Sequence, residues 1–348
     1  MRGSVGAITV RWPWGGLVLA LSLVIGLMAA GDPAGAEALR LDPEKVQGPD
    51  ACGECHKASF KLWEPTVHST TFKTLQRSKE AKKIARKMGI KRIKSSGDCV
   101  FCHYTAAKVK KRVKAIGGIT CESCHGAGKD WSSTHADYGG KNVTRNMETP
   151  AHRKERYAKS VAAGLIRPSG IFDVAWNCFG CHTVPDEKLV NVGGHPAGSK
   201  FELVAWSHGE MRHNVWYSKD NAESPIQRRR MMTVVGHGLD LAFALRGMAE
   251  ATQDAPYAVN MTKRVNAAKA ELEKIVQLAP LPEIQKILAV AAKAELKLNN
   301  KAALNQAAQE VENVLKAFAE SHDGSQLAAL DSLLPAPDKY KGKVGKIN

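Results

Sequence analysis

The chain has 348 residues, 44% of them hydrophobic, and a formal net charge of +16. That length exceeds what one ordinary compact domain holds, so two regions are expected after the amino-terminal segment. Past residue 36 no segment is apolar enough to span a bilayer and no glycine-rich phosphate loop opens a helix, which excludes a polytopic membrane protein and a nucleotide site.

Residues 1–36 read as a secretory leader. Arg2 and Arg11 give a positive start, Gly15 to Ala30 is an apolar run, and Ala34-Gly35-Ala36 is a cleavage site before Glu37. An uncleaved membrane anchor is the minor alternative. Export predicts the periplasm, an oxidising compartment, and makes nucleic acid an unsuitable partner despite the positive charge.

Residues 37–227 hold four copies of Cys-x-x-Cys-His: Cys52, Cys55 and His56; Cys99, Cys102 and His103; Cys121, Cys124 and His125; Cys178, Cys181 and His182. They use all eight cysteines. Two thiols at this spacing can add to the two vinyl groups of one haem while the adjacent imidazole ligates the iron. Two four-cysteine zinc sites, or disulfides, would explain the cysteines but not the histidines. With 12 His in the chain, one following every pair by accident has a probability on the order of 10⁻⁶. Four covalently bound haem c groups are therefore expected, and no catalytic side-chain set is assigned. Strand signals are weak, so this region should be helices and loops around cofactor.

Whatever fills the sixth position of each iron separates an electron carrier from a catalyst. Eight histidines lie outside the motifs: His68, His135, His152, His195, His208, His213, His237 and His322. Their number suffices for four sites without saying which of them bind. His152, His195 and His322 are set aside as non-ligands, the first two for their polar surroundings and the third for its distance from any motif.

Fifteen Lys or Arg lie between Lys73 and Lys114, against only Glu80 and Asp98. Such a single-signed stretch suits docking of an acidic redox partner. With the leader gone and four haems added, the oxidised protein still carries roughly +11.

From Arg228 the pattern turns helical. Met261, Val265, Ala268, Leu272 and Ile275 recur at spacings of four and three, as do Leu304, Ala308, Val311, Leu315 and Phe318. Breaks at Ala279-Pro280-Leu281-Pro282, Asn299-Asn300 and Asp323-Gly324 predict about four helices over residues 228–334, in a bundle or hairpin packed on the haem region. Residues 335–348, with four lysines and two glycines, read as a mobile basic tail.

Several local patterns resemble the cytochrome c-554 family, tetrahaem carriers that accept electrons from hydroxylamine oxidoreductase. They are His56-Lys57 followed by Trp63, Thr66 and His68; Asp98-Cys99-Val100-Phe101-Cys102-His103; Cys121-Glu122-Ser123-Cys124-His125-Gly126-Ala127-Gly128 followed by His135; and Trp206, Gly209-Glu210 and Arg212-His213-Asn214. The likeness covers roughly Asp50 to Tyr217 and has no counterpart for the last 120 residues. It implies a mostly α, multihaem cytochrome c fold with closely packed haems. It also implies distal ligands at His68, His135 and His213, with His208 and His237 as rivals for the last place. It leaves the haem of Cys99, Cys102 and His103 without a sixth ligand from the protein. The expected function is periplasmic electron transfer between redox partners. The alternatives are turnover of a nitrogen oxide or hydroxylamine at the open haem, and service as a subunit of a respiratory complex.

Overall fold

The computed structural model describes Met1, residues 41–216 and residues 218–347. The leader expected over residues 1–36, its cleavage site and the proposed start at Glu37 lie outside the described residues, save for Met1. Residues 41–347 fall within one compact unit.

Among the described residues the fold is helical but for one hairpin. The haem-motif half begins with α1 (Pro49–Gly53), α2 (Lys57–Trp63), α3 (Val67–Thr74), α4 (Lys79–Lys87) and α5 (Gly97–His103). The antiparallel strands β1 (Thr105–Val109) and β2 (Arg112–Gly117) follow, and then α6 (Cys121–His125), α7 (Ser132–Ala136), α8 (Pro150–Ala162), α9 (Ile171–His182), α10 (Glu187–Asn191) and α11 (Leu203–Ser207). These helices are short because side-chain caps and prolines restart the chain repeatedly. Thr66, Ser78 and Asp186 each accept an N–H in the first turn of α3, α4 and α10. Thr149 does so for α8, where Pro150 takes the first helical position.

The second half contains α12 (Ile226–Glu250), α13 (Pro256–Leu278), α14 (Pro282–Lys293) and α15 (Lys301–Ser321). Both periodic stripes read from the sequence are inside: Met261, Val265, Leu272, Ile275, Leu304, Ala308, Val311, Leu315 and Phe318 are all fully buried. Each of these side chains except Ala308 is worth roughly 1.5–3 kcal/mol when taken out of water. The central helix α12 is different, since it is buried on nearly every side between α9, α13 and α15. Two glycines permit that crowding. A Cβ on Gly238 would stand 2.5 Å from Leu315 and one on Gly247 2.5 Å from the Met261 sulfur. Arg246 of α12 and Glu312 of α15 form a buried bidentate ion pair at 2.9 and 2.6 Å.

The carboxyl-terminal residues depart from the expectation of a mobile tail. The Lys341 N–H donates to the Ala205 carbonyl at 3.0 Å and its carbonyl accepts from Glu210 N–H at 2.8 Å. Asn221 Nδ2 reaches the Gly345 carbonyl at 3.0 Å. Composition misled here because the anchoring runs through backbone groups, while the lysine side chains remain outside.

Candidate haem centres

Three motifs end a helix on their histidine, α5 on His103, α6 on His125 and α9 on His182, whereas the first bridges α1 to α2 with His56 between them. Helical pitch puts residues three and four apart on one face, so both thiols and the imidazole of each motif point the same way. No disulfide forms, and all eight cysteines are free. Burial pushes the Cys124 thiol up to about 11 and the Cys178 thiol up to about 12. Among the described residues no three Cys, His, Asp or Glu converge as an ordinary metal-ion site.

The histidines pair instead. His56 faces His135 with ring centroids 6.2 Å apart, His68 faces His182 at 6.2 Å, His103 faces His195 at 6.2 Å and His125 faces His213 at 6.3 Å. Every pair joins one motif histidine to one outside the motifs. A metal–imidazole bond of about 2.0 Å, with another ~1.1 Å from nitrogen to ring centre, gives ~6.2 Å across two coaxial ligands. The gap thus has the width of one iron with an axial histidine on each side.

The outer ring nitrogens support that fit. Metal-ligating histidines usually donate their remaining N–H to a fixed acceptor, which sets the tautomer and aims the other nitrogen. Nδ1 of His125 donates to the Ile166 carbonyl at 2.9 Å, that of His213 to Met211 at 2.7 Å, and that of His195 to Pro196 at 2.8 Å. His135 donates to Ser132, His182 contacts Ser199 Oγ at 3.0 Å, and His68 lies 3.0 Å from the Met211 sulfur. Burial, the largest cause in each case, lowers the imidazoles of His56, His68 and His135 below their ordinary range. It takes His103 and His125 to about 4 and His182 to about 3. These rings are neutral at pH 7, the form in which imidazole binds a metal.

All seven histidines assigned from sequence fall within these pairs. The rival His208 does not: Nδ1 donates to Val204 at 3.0 Å and Nε2 accepts Ser224 N–H at 3.3 Å, so both ring nitrogens are satisfied in a buried pocket. His237 sits within α12, His152 bonds Glu148 at 2.8 Å, and His322 stacks on Phe318. The difference from expectation is His195. It stands over His103, where the resemblance left the iron open. The sequence holds only one signal for it, the Gly193-Gly194-His195-Pro196 turn, in which Gly194 takes φ +76°.

Other residues about the pairs were not foreseen. The segment 211–216 touches three of them, through Met211 at His68, His213 at His125, and Trp216 with its ring centroid 4.9 Å from His56. Phe201 stacks on His182 at 4.4 Å. Gly118 permits another close approach, because a Cβ there would lie 2.1 Å from the His68 carbonyl.

The motifs also adjoin one another. Cys52 interacts with Cys121 and Cys102 with Cys181, which sets the first motif beside the third and the second beside the fourth. Asn177, the residue before the fourth motif, donates to the Ser123 carbonyl in the third at 2.5 Å.

A buried carboxylate braces the first pair. Glu148 accepts from Arg156 on both oxygens at 2.6 Å and also meets His152 and Arg153, while Arg156 Nη1 reaches the His135 carbonyl at 2.6 Å. The Arg156 hydrogen bonds, opposed by desolvation and aided by His152, hold the Glu148 carboxyl at about 2 against its ordinary 4.5. A depressed carboxylate contributes stability that is complete above pH ~4.5 and is lost as pH falls toward 2. Glu148→Gln is accordingly expected to be less stable than the parent at pH 6, with the gap closing through pH 4.5 to 2. Denaturant midpoints across that range check it, and a gap independent of pH would refute it.

Residues 51–126 match the family profile described as cytochrome c554 and c-prime. The chain is similar to cytochrome c-554 of Nitrosomonas europaea, with 29% identity over 147 residues covering 39% of this chain and 57% of that relative. It therefore spans little more than half the length of the relative it matches. No solved structure matches it. The likeness to the cytochrome c554 family thus covers the part of the chain that carries the first three motifs.

Proposed function

We propose that the protein is a periplasmic tetrahaem c-type cytochrome that passes electrons between redox proteins. The observation that carries this reading is the set of histidine pairs, each matching the span of two axial ligands on one iron. The cofactor supplies one-electron chemistry at an iron whose potential is set by axial ligands and burial. The chain's own contribution is to hold His135 against His56, His68 against His182 and His213 against His125, and to bury the rings. Contacts between the first and third motifs, the third and fourth, and the fourth and second support a continuous path for electrons.

The basic stretch suits entry or exit at a protein partner. Lys79, Lys82, Lys83, Arg86 and Lys87 of α4 and Lys108 to Lys114 at the hairpin are exposed. An acidic redox partner would be steered by this surface, with a rate that falls as salt rises. Among the described residues no helix is long and apolar enough to cross a membrane. The nitrogen-compound enzyme needs an open iron, and the pairing of His103 with His195 weighs against it.

The test is the intact mass of the mature, haem-loaded protein, measured alongside four variants with both cysteines of one motif changed to alanine. Four haems in the parent and three in each variant are expected. A parent with fewer, or a variant that keeps the parent's number, would overturn the tetrahaem reading.

A further inference from the structure

We infer that His195 is the sixth ligand of the haem bound by Cys99, Cys102 and His103, and that the carboxyl-terminal helices hold it there through Arg264. The inference rests on the tetrahaem reading and concerns the one centre for which the family resemblance offered no ligand.

His195 is placed as the other three distal histidines are. Its centroid is 6.2 Å from that of His103, equal to the spacing in the two pairs formed by His56 and His68. Donation from Nδ1 to the Pro196 carbonyl leaves Nε2 as the nitrogen with a free lone pair.

The backbone that carries it is fixed on two sides. On one, His195 N–H donates to Leu189 O at 3.1 Å and Gly194 N–H to Val190 O at 3.0 Å, so the turn is folded back on α10. Gly193 packs against Ile84 of α4 and Met88 just past its end, and its Cβ position lies only 2.4 Å from the Leu189 carbonyl. On the other side stands the helical region. Arg264 of α13 donates from Nη1 to the Ser199 carbonyl at 2.9 Å and is itself held by Asp240 of α12. Gly198 leaves room for that guanidinium, since a Cβ there would meet Arg264 Nη1 at 2.9 Å. Ser199 in turn contacts His182 Nδ1 through Oγ at 3.0 Å. Upstream, Glu187 caps Thr252 and Gln253, and Asn191 Oδ1 accepts Tyr257 N–H at 3.0 Å. Residues 187–199 are thereby strapped to α12, α13 and the turn between them. The helices with no counterpart in the resemblance hold a ligand that the resemblance also lacked.

Arg264 is a positioning residue in this scheme, acting on the iron through the stretch of chain that bears His195 and Ser199. Its loss should release His195 from its iron, while the haem of His182, whose Nδ1 meets Ser199, keeps both ligands and shifts only in potential, and the other two centres stay as they were.

The experiment is EPR of the oxidised, haem-loaded protein, followed by carbon monoxide titration of the reduced form. The parent should show four low-spin haems and bind no carbon monoxide. His195→Ala should give one high-spin haem in four and bind one carbon monoxide, and added imidazole should restore the low-spin signal. Arg264→Gln should give a partial high-spin signal at that same haem. His195→Met, which keeps a ligating atom, should stay low-spin with an altered potential at one haem. A parent that has four haems by mass and one of them high-spin overturns the inference and leaves the carrier reading standing. Fewer than four haems in the parent overturns the carrier reading itself. An Arg264→Gln spectrum identical to the parent's would refute the role of the carboxyl-terminal helices, whatever His195 does.

Discussion

Glu122→Ala should lower the unfolding free energy of the holoprotein by about 3–5 kcal/mol. Glu122 occupies a variable position of the third motif, yet it is fully buried and its carboxylate accepts three backbone N–H groups. Gln47 donates at 2.9 Å, Gly48 at 2.8 Å and Gly128 at 2.7 Å. Two of these donors precede α1 and the first motif, and the third follows α6, so one side chain ties the first haem site to the third. Truncation leaves three donors without an acceptor, those of Gly48 and Gly128 buried and that of Gln47 partly buried, each costing roughly 1–3 kcal/mol less whatever water recovers. Glu122→Gln should lie between the two, because its amide keeps one acceptor oxygen but turns two donors toward other donors. Denaturant unfolding followed by haem absorbance measures the loss, and a value below about 1 kcal/mol would show that water satisfies the site.

Glu312→Ala should cost a similar amount, about 3–5 kcal/mol, for a different reason. Its partner Arg246 is buried, with the side chains 7% and 6% exposed, and truncation strands an uncompensated guanidinium between α12 and α15. Gln309, which accepts from Arg246 Nη2 at 3.1 Å, is too little to neutralise it. The double replacement Arg246→Met with Glu312→Leu should recover most of the loss, since a well-packed apolar pair avoids desolvating two charges. Thermal unfolding of the three variants decides this, with the low-spin haem spectrum expected unchanged at room temperature. If the double variant is no better than the single, the pair is worth more than its burial costs.

What could be read from sequence divides along the range of the interaction. The motifs were legible because thioether chemistry fixes residues at i, i+3 and i+4 in any context. The stripes of α13 and α15 were legible because each has one buried face, whereas α12, buried all round, shows no such contrast. His68, His135 and His213 were found through resemblance. His195 was missed, since what makes it a candidate ligand is the path of residues 187–199 past α4 and Arg264, which no local pattern encodes. Glu122 illustrates the same limit, for an acidic residue in a motif's variable position reads as exposed until the chain brings Gln47, Gly48 and Gly128 to it. The anchoring of residues 335–347 depends on backbone hydrogen bonds, to which side-chain composition is blind.

The pairing of histidines bears on how the chain would be completed under the proposed export. Partners stand between 79 and 114 residues apart, and every one of the four loops they close contains residues 125–135. Were each pair bridged through iron in an exported chain, the loops would interlock, and none could be finished before residue 135 had emerged from the membrane. Emergence alone would then dictate the sequence of closure: His135 would complete the first motif's site, His182 and His195 the next two, and His213 the third motif's site last. Loop entropy does little to alter it, because stretching a loop from 79 to 114 residues costs only about 0.3 kcal/mol. A chain refolded from denaturant loses that vectorial order, so mispaired axial histidines are the characteristic error to expect of refolding and not of synthesis.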